Sequence, residues 1–280
     1  MGKVAVVTDS SATVPASLAQ ELGIHIVPIL LNLNGQTYRD GIDITPGEVY
    51  RLLRAGKSLP TTAAPSAGDF LRVYAAATDK ASGIVSIHLP PELSATFSVA
   101  STSRELVDGP PIRIVDSQSV AMGQGFVVLE AARAAAAGAD LDAVVARAEQ
   151  VGRKVHVYAA LDTLKYLRRG GRIGGAAALA GTMLRIKPTV YVAGGIVNPF
   201  ARPRTMSRAI RLMLEEMKRR AEGLPLHASV FHADAPVEAE GLRQMVESDF
   251  DCVELHVTEF TPVMGVHAGP GVLGLAFFAE

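Results

Sequence analysis

The stretch Lys3-Val4-Ala5-Val6-Val7-Thr8-Asp9-Ser10-Ser11-Ala12-Thr13-Val14-Pro15, with the periodic segment 16–22 behind it, decides the fold. Residues 3–8 form a short β-branched run of buried-strand type. Asp9 to Pro15 then supply helix-starting chemistry, and residues 16–22 read as the helix they start. A strand that passes through a short polar turn into a helix is the unit of a parallel sheet. The unit returns further on. A helix over 67–78 leads into the buried strand Gly83-Ile84-Val85-Ser86-Ile87-His88. A helix over about 95–106 then leads into Ile112-Arg113-Ile114-Val115, which again ends in Asp-Ser, here Asp116-Ser117. Strands alternating with helices over the first half predict a mostly parallel α/β sheet covered on both faces.

Working outward, residues 24–33 read as one strand, and Asn34-Gly35 as a tight turn into Gln36-Thr37-Tyr38. A helix over 46–55 is expected, with Thr45 as its cap, Pro46 at its first position and Glu48 completing a capping box. Residues 57–65 read as a loop. Helices over 121–137, stopped by Gly138, and 141–152 complete the first unit, which places a boundary near residue 153. The texture then changes. A strand over 155–160, a helical turn and a Gly-rich stretch over 169–175 precede short strands at 189–192 and 195–198. A periodic helix follows over 206–221, with Ile210, Met213, Leu214 and Met217 on one face. Beyond a helix over 237–248 come strands over 253–259 and 271–279. The expectation is an α/β protein of two domains, an N-terminal mostly parallel sheet domain (1–153) and a C-terminal α+β domain (154–280).

The 280 residues match roughly two domains of about 150 residues each. A hydrophobic fraction of 49% against 20% charged residues excludes disorder as a description of the chain. The 27 basic and 28 acidic side chains cancel to a formal charge of -1, so no overall field draws in nucleic acid. Cys252 is the single cysteine, which excludes an internal disulfide and fits a reducing cytoplasm. The apolar run at the amino terminus is too short for a signal-peptide core. The apolar window 126–139 carries Glu130 and Arg133 and is too short to span a bilayer. A cytoplasmic protein is expected.

Chemistry-bearing clusters are few. No Gly-x-Ser-x-Gly, His-Glu-x-x-His or Cys-x-x-Cys occurs, so no hydrolase or metal signature is present. Gly170-Gly171-Arg172-Ile173-Gly174-Gly175 lacks the order of a phosphate-binding loop. The Asp-Ser turns at Asp9 and Asp116 lie where open α/β sheets place ligand contacts, although capping explains them equally well. Pro60-Thr61-Thr62-Ala63-Ala64-Pro65-Ser66 holds hydroxyls between prolines. Leu93-Ser94-Ala95-Thr96 opens a helix, where backbone N–H groups and Ser94 could hold an anion. His267-Ala268-Gly269-Pro270-Gly271 reads as a sharp turn carrying one imidazole before the last strand. Met183, Met206, Met213, Met217 and Met264 supply adaptable apolar surface that suits core filling or a flexible lipid tail.

Taken in order, these segments resemble the DegV family of bacterial fatty-acid-binding proteins. The resemblance is carried by Val4 to Ser10, Tyr38-Arg39-Asp40-Gly41-Ile42-Asp43-Ile44, Leu59-Pro60-Thr61-Thr62, Leu93-Ser94-Ala95-Thr96 and Val115-Asp116-Ser117. It continues through Leu164-Lys165-Tyr166-Leu167-Arg168-Arg169-Gly170-Gly171-Arg172-Ile173, Ile186-Lys187-Pro188 and His267-Ala268-Gly269-Pro270-Gly271. It implies one long-chain fatty acid enclosed between the two domains, and a non-catalytic carrier subunit of a fatty acid kinase. Such a subunit presents the carboxylate to a separate ATP-binding subunit, which makes the acyl phosphate for phospholipid synthesis. The implied carboxylate contacts are Thr62, Ser94, Ala95 and His267, with Asp40, Arg172 and Arg204 supporting the head group or the kinase contact. No cofactor, metal or nucleic acid is expected; a ligand of this kind needs an exit, which leaves room for a transient membrane contact. The chain departs from the family pattern at Pro90-Pro91-Glu92-Leu93-Ser94-Ala95-Thr96-Phe97, where Ala95 replaces a glycine, and at Thr62-Ala63-Ala64-Pro65, which lacks a serine and a glutamine. The residues alone leave a second reading open, an aspartate-based phosphotransferase using Asp9 or Asp116 on a small metabolite.

Overall fold

The computed structural model describes residues 2–56, 59–78, 81–182 and 186–280. The first strand, β1 (Lys3–Asp9), passes through a short 3₁₀ turn into α1 (Ala16–Glu21), and β2 (His25–Val27) returns beside it. A hairpin of β3 (Leu30–Leu33) and β4 (Gln36–Arg39) follows, then α2 (Pro46–Ala55), β5 (Thr61–Ala63), α3 (Ala67–Thr78) and β6 (Ala81–His88). Next come α4 (Thr96–Arg104), β7 (Ile112–Asp116), α5 (Met122–Ala136) and α6 (Leu141–Lys154). The second half runs β8 (His156–Ala160), α7 (Lys165–Arg169), β9 (Thr189–Ala193), β10 (Ile196–Ala201) and α8 (Met206–Ala221). It ends with β11 (Leu226–Ala233), α9 (Pro236–Asp249), β12 (Cys252–Glu259), α10 (Pro262–Ala268) and β13 (Val272–Ala279).

The first sheet has the order β2-β1-β6-β7 and is parallel throughout. Its period of two sends Val7 and Ile84 to one face, where they pack with Phe70, Tyr74 and Ala100 of α3 and α4. Val6, Val85 and Ile87 go to the other face, against α5 and α6. The second sheet has the order β10-β9-β8-β13-β11-β12 and is antiparallel except for the β11–β12 pair. Tyr158, Ala160, Leu273 and Leu275 on one face bury the apolar stripes of α8 and α9. The opposite face meets α5, which touches both sheets and is buried along most of its length. Phe126 of α5 packs edge-on against Phe278 of β13, with centroids 5.6 Å apart. Gly274 lets Phe231 lie across β13, because a Cβ there would stand 2.2 Å from that ring.

Three sequence expectations change. The strand expected over 24–33 is broken at Pro28, which has no N–H to give a ladder, so β2 stays in the parallel sheet while β3 leaves for a separate sheet of order β4-β3-β5. The loop expected over 57–65 contains β5, which pairs antiparallel with β3 through Leu31 and Thr62. The turn expected at His267 is the last turn of α10. The Asn34-Gly35 turn is as expected, with φ of 51° and 79° that match a hairpin of the I′ kind. So is the Thr45–Glu48 capping box. Among the described residues no helix is long and apolar enough to cross a membrane. Met183 lies outside the described residues.

Candidate functional site

A cavity with about 1100 Å³ of empty space, open mouth included, lies between the two sheets. Its floor is the face of the second sheet that also meets α5. Val157 and Ala159 of β8 stand beside Val192 and Val190 of β9, their register partners. Alternation along each strand turns these four side chains toward the cavity while Tyr158 and Tyr191 stack on the far side, 6.0 Å apart. Val197, Phe231 and Val272 extend the floor. The roof comes from the first half of the chain, with Ile29, Leu89, Leu93, Val120 and Ala121 from the loops at the carboxyl ends of the parallel strands. That is where an open α/β sheet places a ligand. Met264 of α10 closes one side.

The polar groups other than Ser11 gather in one place. Thr62 Oγ1 lies 2.7 Å from His267 Nε2. His267 Nδ1 is buried without a hydrogen-bond partner among the described residues and faces Gly170, where a Cβ would stand 2.3 Å from it. An unpaired acceptor is tolerated better in the interior than an unpaired N–H. The consistent arrangement therefore has Nε2–H donating to Thr62, which frees the Thr62 O–H to donate into the cavity. Burial, aided by the Arg172 charge, lowers the His267 pKa to about 4, so the ring is neutral at neutral pH. Arg172 Nε donates to Leu93 O at 2.9 Å, and its Nη1 donates to Gly170 O. This pins the guanidinium between the Ser94 loop and the end of α7, where Gly170 faces His267. Ser94 Oγ accepts from Thr96 N at 3.2 Å in the turn that leads into α4, whose N-cap is Ala95, and it also lines the cavity. Ala95 lines the cavity beside it.

The structure thus brings Thr62, Ser94, Ala95, His267 and Arg172 together and sets two other candidates apart. Asp40 is buried behind the site. Its Oδ1 accepts from Val263 N at 2.9 Å, at the start of α10, and its Oδ2 accepts from Ser10 Oγ at 2.6 Å. Burial raises its pKa despite these bonds. It holds the helix that carries His267 and does not line the cavity. Arg204 is exposed just before α8, away from the cavity lining.

The two Asp-Ser turns differ, and Asp9 has both carboxylate oxygens engaged inside the fold. Asp9 is fully buried, with Oδ2 receiving His88 Nδ1 at 2.9 Å and Gln124 Nε2 at 3.1 Å, while Oδ1 receives Ser11 N and Oγ. Burial pushes its pKa up, but His88, Ser11 and Gln124 outweigh this and hold it below the usual range. Asp116 accepts from Gln118 N at 2.8 Å and has its pKa raised, chiefly by burial. Glu130, His227 and Glu254 bring possible metal-ligand atoms together. Arg133 already bridges both carboxylates there, and Arg147 binds Glu130.

Reading the residues without a resemblance misses Ile29, Val157, Ala159, Val190, Val192 and Met264 as cavity residues. The signal available was the small or β-branched character of alternate strand positions, which marks a buried face without saying what fills it.

A family model described as "uncharacterised protein, DegV family" matches residues 3–280. A DegV domain-containing protein of Streptomyces coelicolor is 38% identical over 275 residues, covering 97% of both chains. Among solved structures, a Thermus thermophilus DegV family protein studied for fatty acid binding superposes with a TM-score of 0.94 at 35% identity, over 99% of this chain and 100% of the other. The Bacillus subtilis DegV structure, described as a fatty acid binding protein, gives 0.92 at 30% identity over the whole of both chains.

Proposed function

The chain belongs to the DegV family, and from that premise we propose that it binds one long-chain fatty acid in the cavity between its sheets and presents the carboxylate to a separate ATP-binding kinase subunit. The observation that carries this reading is the distribution of polarity. The cavity is lined by aliphatic and aromatic side chains over most of its wall, with its hydroxyls, imidazole and guanidinium mostly gathered round the Thr62–His267 pair. The Thermus thermophilus and Bacillus subtilis proteins, described as binding fatty acids, have the same fold over their full length.

The physical chemistry supports it. About fourteen buried methylenes at about 0.8 kcal/mol each give about 11 kcal/mol gross, from which association and ordering remove several. Tight binding therefore needs no buried salt bridge, and the head contacts orient more than they attract. Thr62 O–H, Ser94 and the Ala95 N–H are the donors for the carboxylate. Arg172 favours its ionised form through its charge. The ionised oxygen is then the nucleophile. It forms a bond to the terminal phosphorus of ATP held by the partner, the bond from that phosphorus to the bridging oxygen breaks, and ADP departs with the electron pair. In this reading residues 1–153 and 154–280 act as two domains around the ligand. The acyl phosphate passes on to phospholipid synthesis through a transient membrane contact.

The test is native mass spectrometry of the purified chain, followed by extraction and identification of what it carries. One C14 to C18 fatty acid per chain, with no ATP consumption by the chain alone, supports the reading. An empty chain that takes up neither added palmitate nor oleate refutes it and leaves the phosphotransferase alternative.

A further inference from the structure

Behind the Thr62–His267 pair lies a second cavity, with about 550 Å³ of empty space including its opening. Thr62, Arg172 and His267 line both cavities, so these three residues form the wall between them. The far side differs in character from the first cavity. It is lined by Arg169 and Arg172 together with Thr61, Tyr166 and a few apolar side chains. Neither arginine has a carboxylate within ion-pair distance among the described residues, whereas Arg133, Arg147, Arg219 and Arg243 are all paired. Arg169 makes one long contact, Nη2 to Leu59 O at 3.3 Å, and Arg172 keeps Nη2 without a partner among the described residues. Two uncompensated guanidiniums at the mouth of a cavity form a site for a tetrahedral oxyanion.

We propose that this second cavity holds the phosphoryl group of an acyl phosphate whose chain remains in the first cavity, with Arg169 and Arg172 as its ligands. The inference rests on the fatty-acid reading and adds a place for the product. A carboxylate at Thr62 touches the dividing wall. Adding a phosphoryl group makes the head longer and more negative. An anion of that charge cannot turn back into apolar space. The free space and the free cations lie together beyond the wall.

The experiment compares palmitate with hexadecylphosphonate, a stable mimic carrying a dianionic head, on the wild-type chain and on Arg169→Ala. The expected result is that the substitution weakens the phosphonate about tenfold and changes palmitate less than twofold. Equal effects on both ligands, or none on either, overturn the proposal. Arg169→Lys keeps the charge without the Leu59 contact and should fall between wild type and alanine. A lysine variant that loses palmitate as well would show that the 59–62 loop had moved, and would also overturn it. Inorganic phosphate titrated into palmitate-loaded protein separates a chain-borne anion from a free one. Arg169-dependent phosphate binding as tight as that of the phosphonate would assign the cavity to a free anion and overturn the chain-borne assignment, whereas phosphate binding much weaker than the phosphonate supports it. If wild type binds neither long-chain ligand, the fatty-acid reading itself has failed. Palmitate binding without Arg169-dependent phosphonate binding removes only the second cavity's role.

Discussion

Thr62→Val tests the head-group geometry most directly. Valine matches threonine in shape and suits a strand, so β5 and its pairing with Leu31 should persist. What disappears is the hydroxyl 2.7 Å from His267 Nε2, which in the proposed function takes the Nε2–H and donates to the carboxylate. A hydrogen bond to a charged group contributes about 1.5–3 kcal/mol, so palmitate should bind roughly 10- to 150-fold more weakly. Methyl palmitate buries the same chain with an uncharged head, and should lose less than fivefold. Thr62→Ser retains the hydroxyl and should bind both ligands nearly as wild type does. The assay is displacement of a fluorescent fatty acid, with dissociation constants for both ligands on all three proteins. Equal losses for palmitate and its methyl ester would refute the head-group assignment, because they would show that the substitution acts through the shape of the cavity.

Three further outcomes are expected. The His267 and His156 pKa values are each lowered to about 4 in the fold from an ordinary value of 6.5, chiefly by burial. The unfolded chain therefore binds more protons between those values, and the stability from these two neutral rings is complete above about pH 6.5 and lost as pH falls toward 4. Melting temperature should drop between pH 7 and pH 5, and His267→Gln should flatten that slope; an unchanged slope would exclude His267 as a contributor. Asp40→Ala removes the acceptor for Val263 N and strands Ser10, which should cost about 1–3 kcal/mol in urea unfolding, and a change below 0.5 kcal/mol would contradict the capping role. Ala159→Leu raises the cavity floor by three carbons. Displacing as many methylenes of ligand should cost about 2.4 kcal/mol for long chains and shift the preferred length downward in a C12 to C18 series, whereas a uniform loss across the series would place Ala159 away from the chain.

What could be read from the sequence divides along the range of the interactions that build each part. The helices at 46–55, 67–78 and 206–221 match α2, α3 and α8 residue for residue, because their periodicity and caps lie within the segment itself. The fold class follows from the same local patterns. The misread elements are those that exist only through distant partners. β5 is three residues between prolines, and its strand character comes from β3, about thirty residues earlier. α10 has seven residues with Gly265 in the middle, and its first N–H, that of Val263, is held by Asp40, 223 residues away. The Thr261-Pro262 start was a usable signal, since proline at the first helical position fits a helix better than it fits the turn expected at His267.

The same division governs the site. Residues 62 and 267 are 205 apart, and no spacing rule could pair them; a resemblance could, and the structure places them 2.7 Å apart. The resemblance grouped Asp40 with Arg172 in a supporting role, but the structure separates the two. Arg172 is pinned to backbone carbonyls at the wall between two cavities, whereas Asp40 caps the helix that delivers His267. A buried carboxylate with its oxygens already bonded has little left for a ligand, while a guanidinium whose Nη2 has no partner among the described residues and lies beside open space does. That contrast gives the two residues different expected phenotypes. Asp40→Ala should lower stability first and binding second, whereas Arg172→Ala should weaken the head-group contact in a chain that still unfolds at the wild-type urea concentration. If both variants lost stability equally, Arg172 would be a structural strut between Leu93 and Gly170, and the charge at the wall would have to come from Arg169 alone.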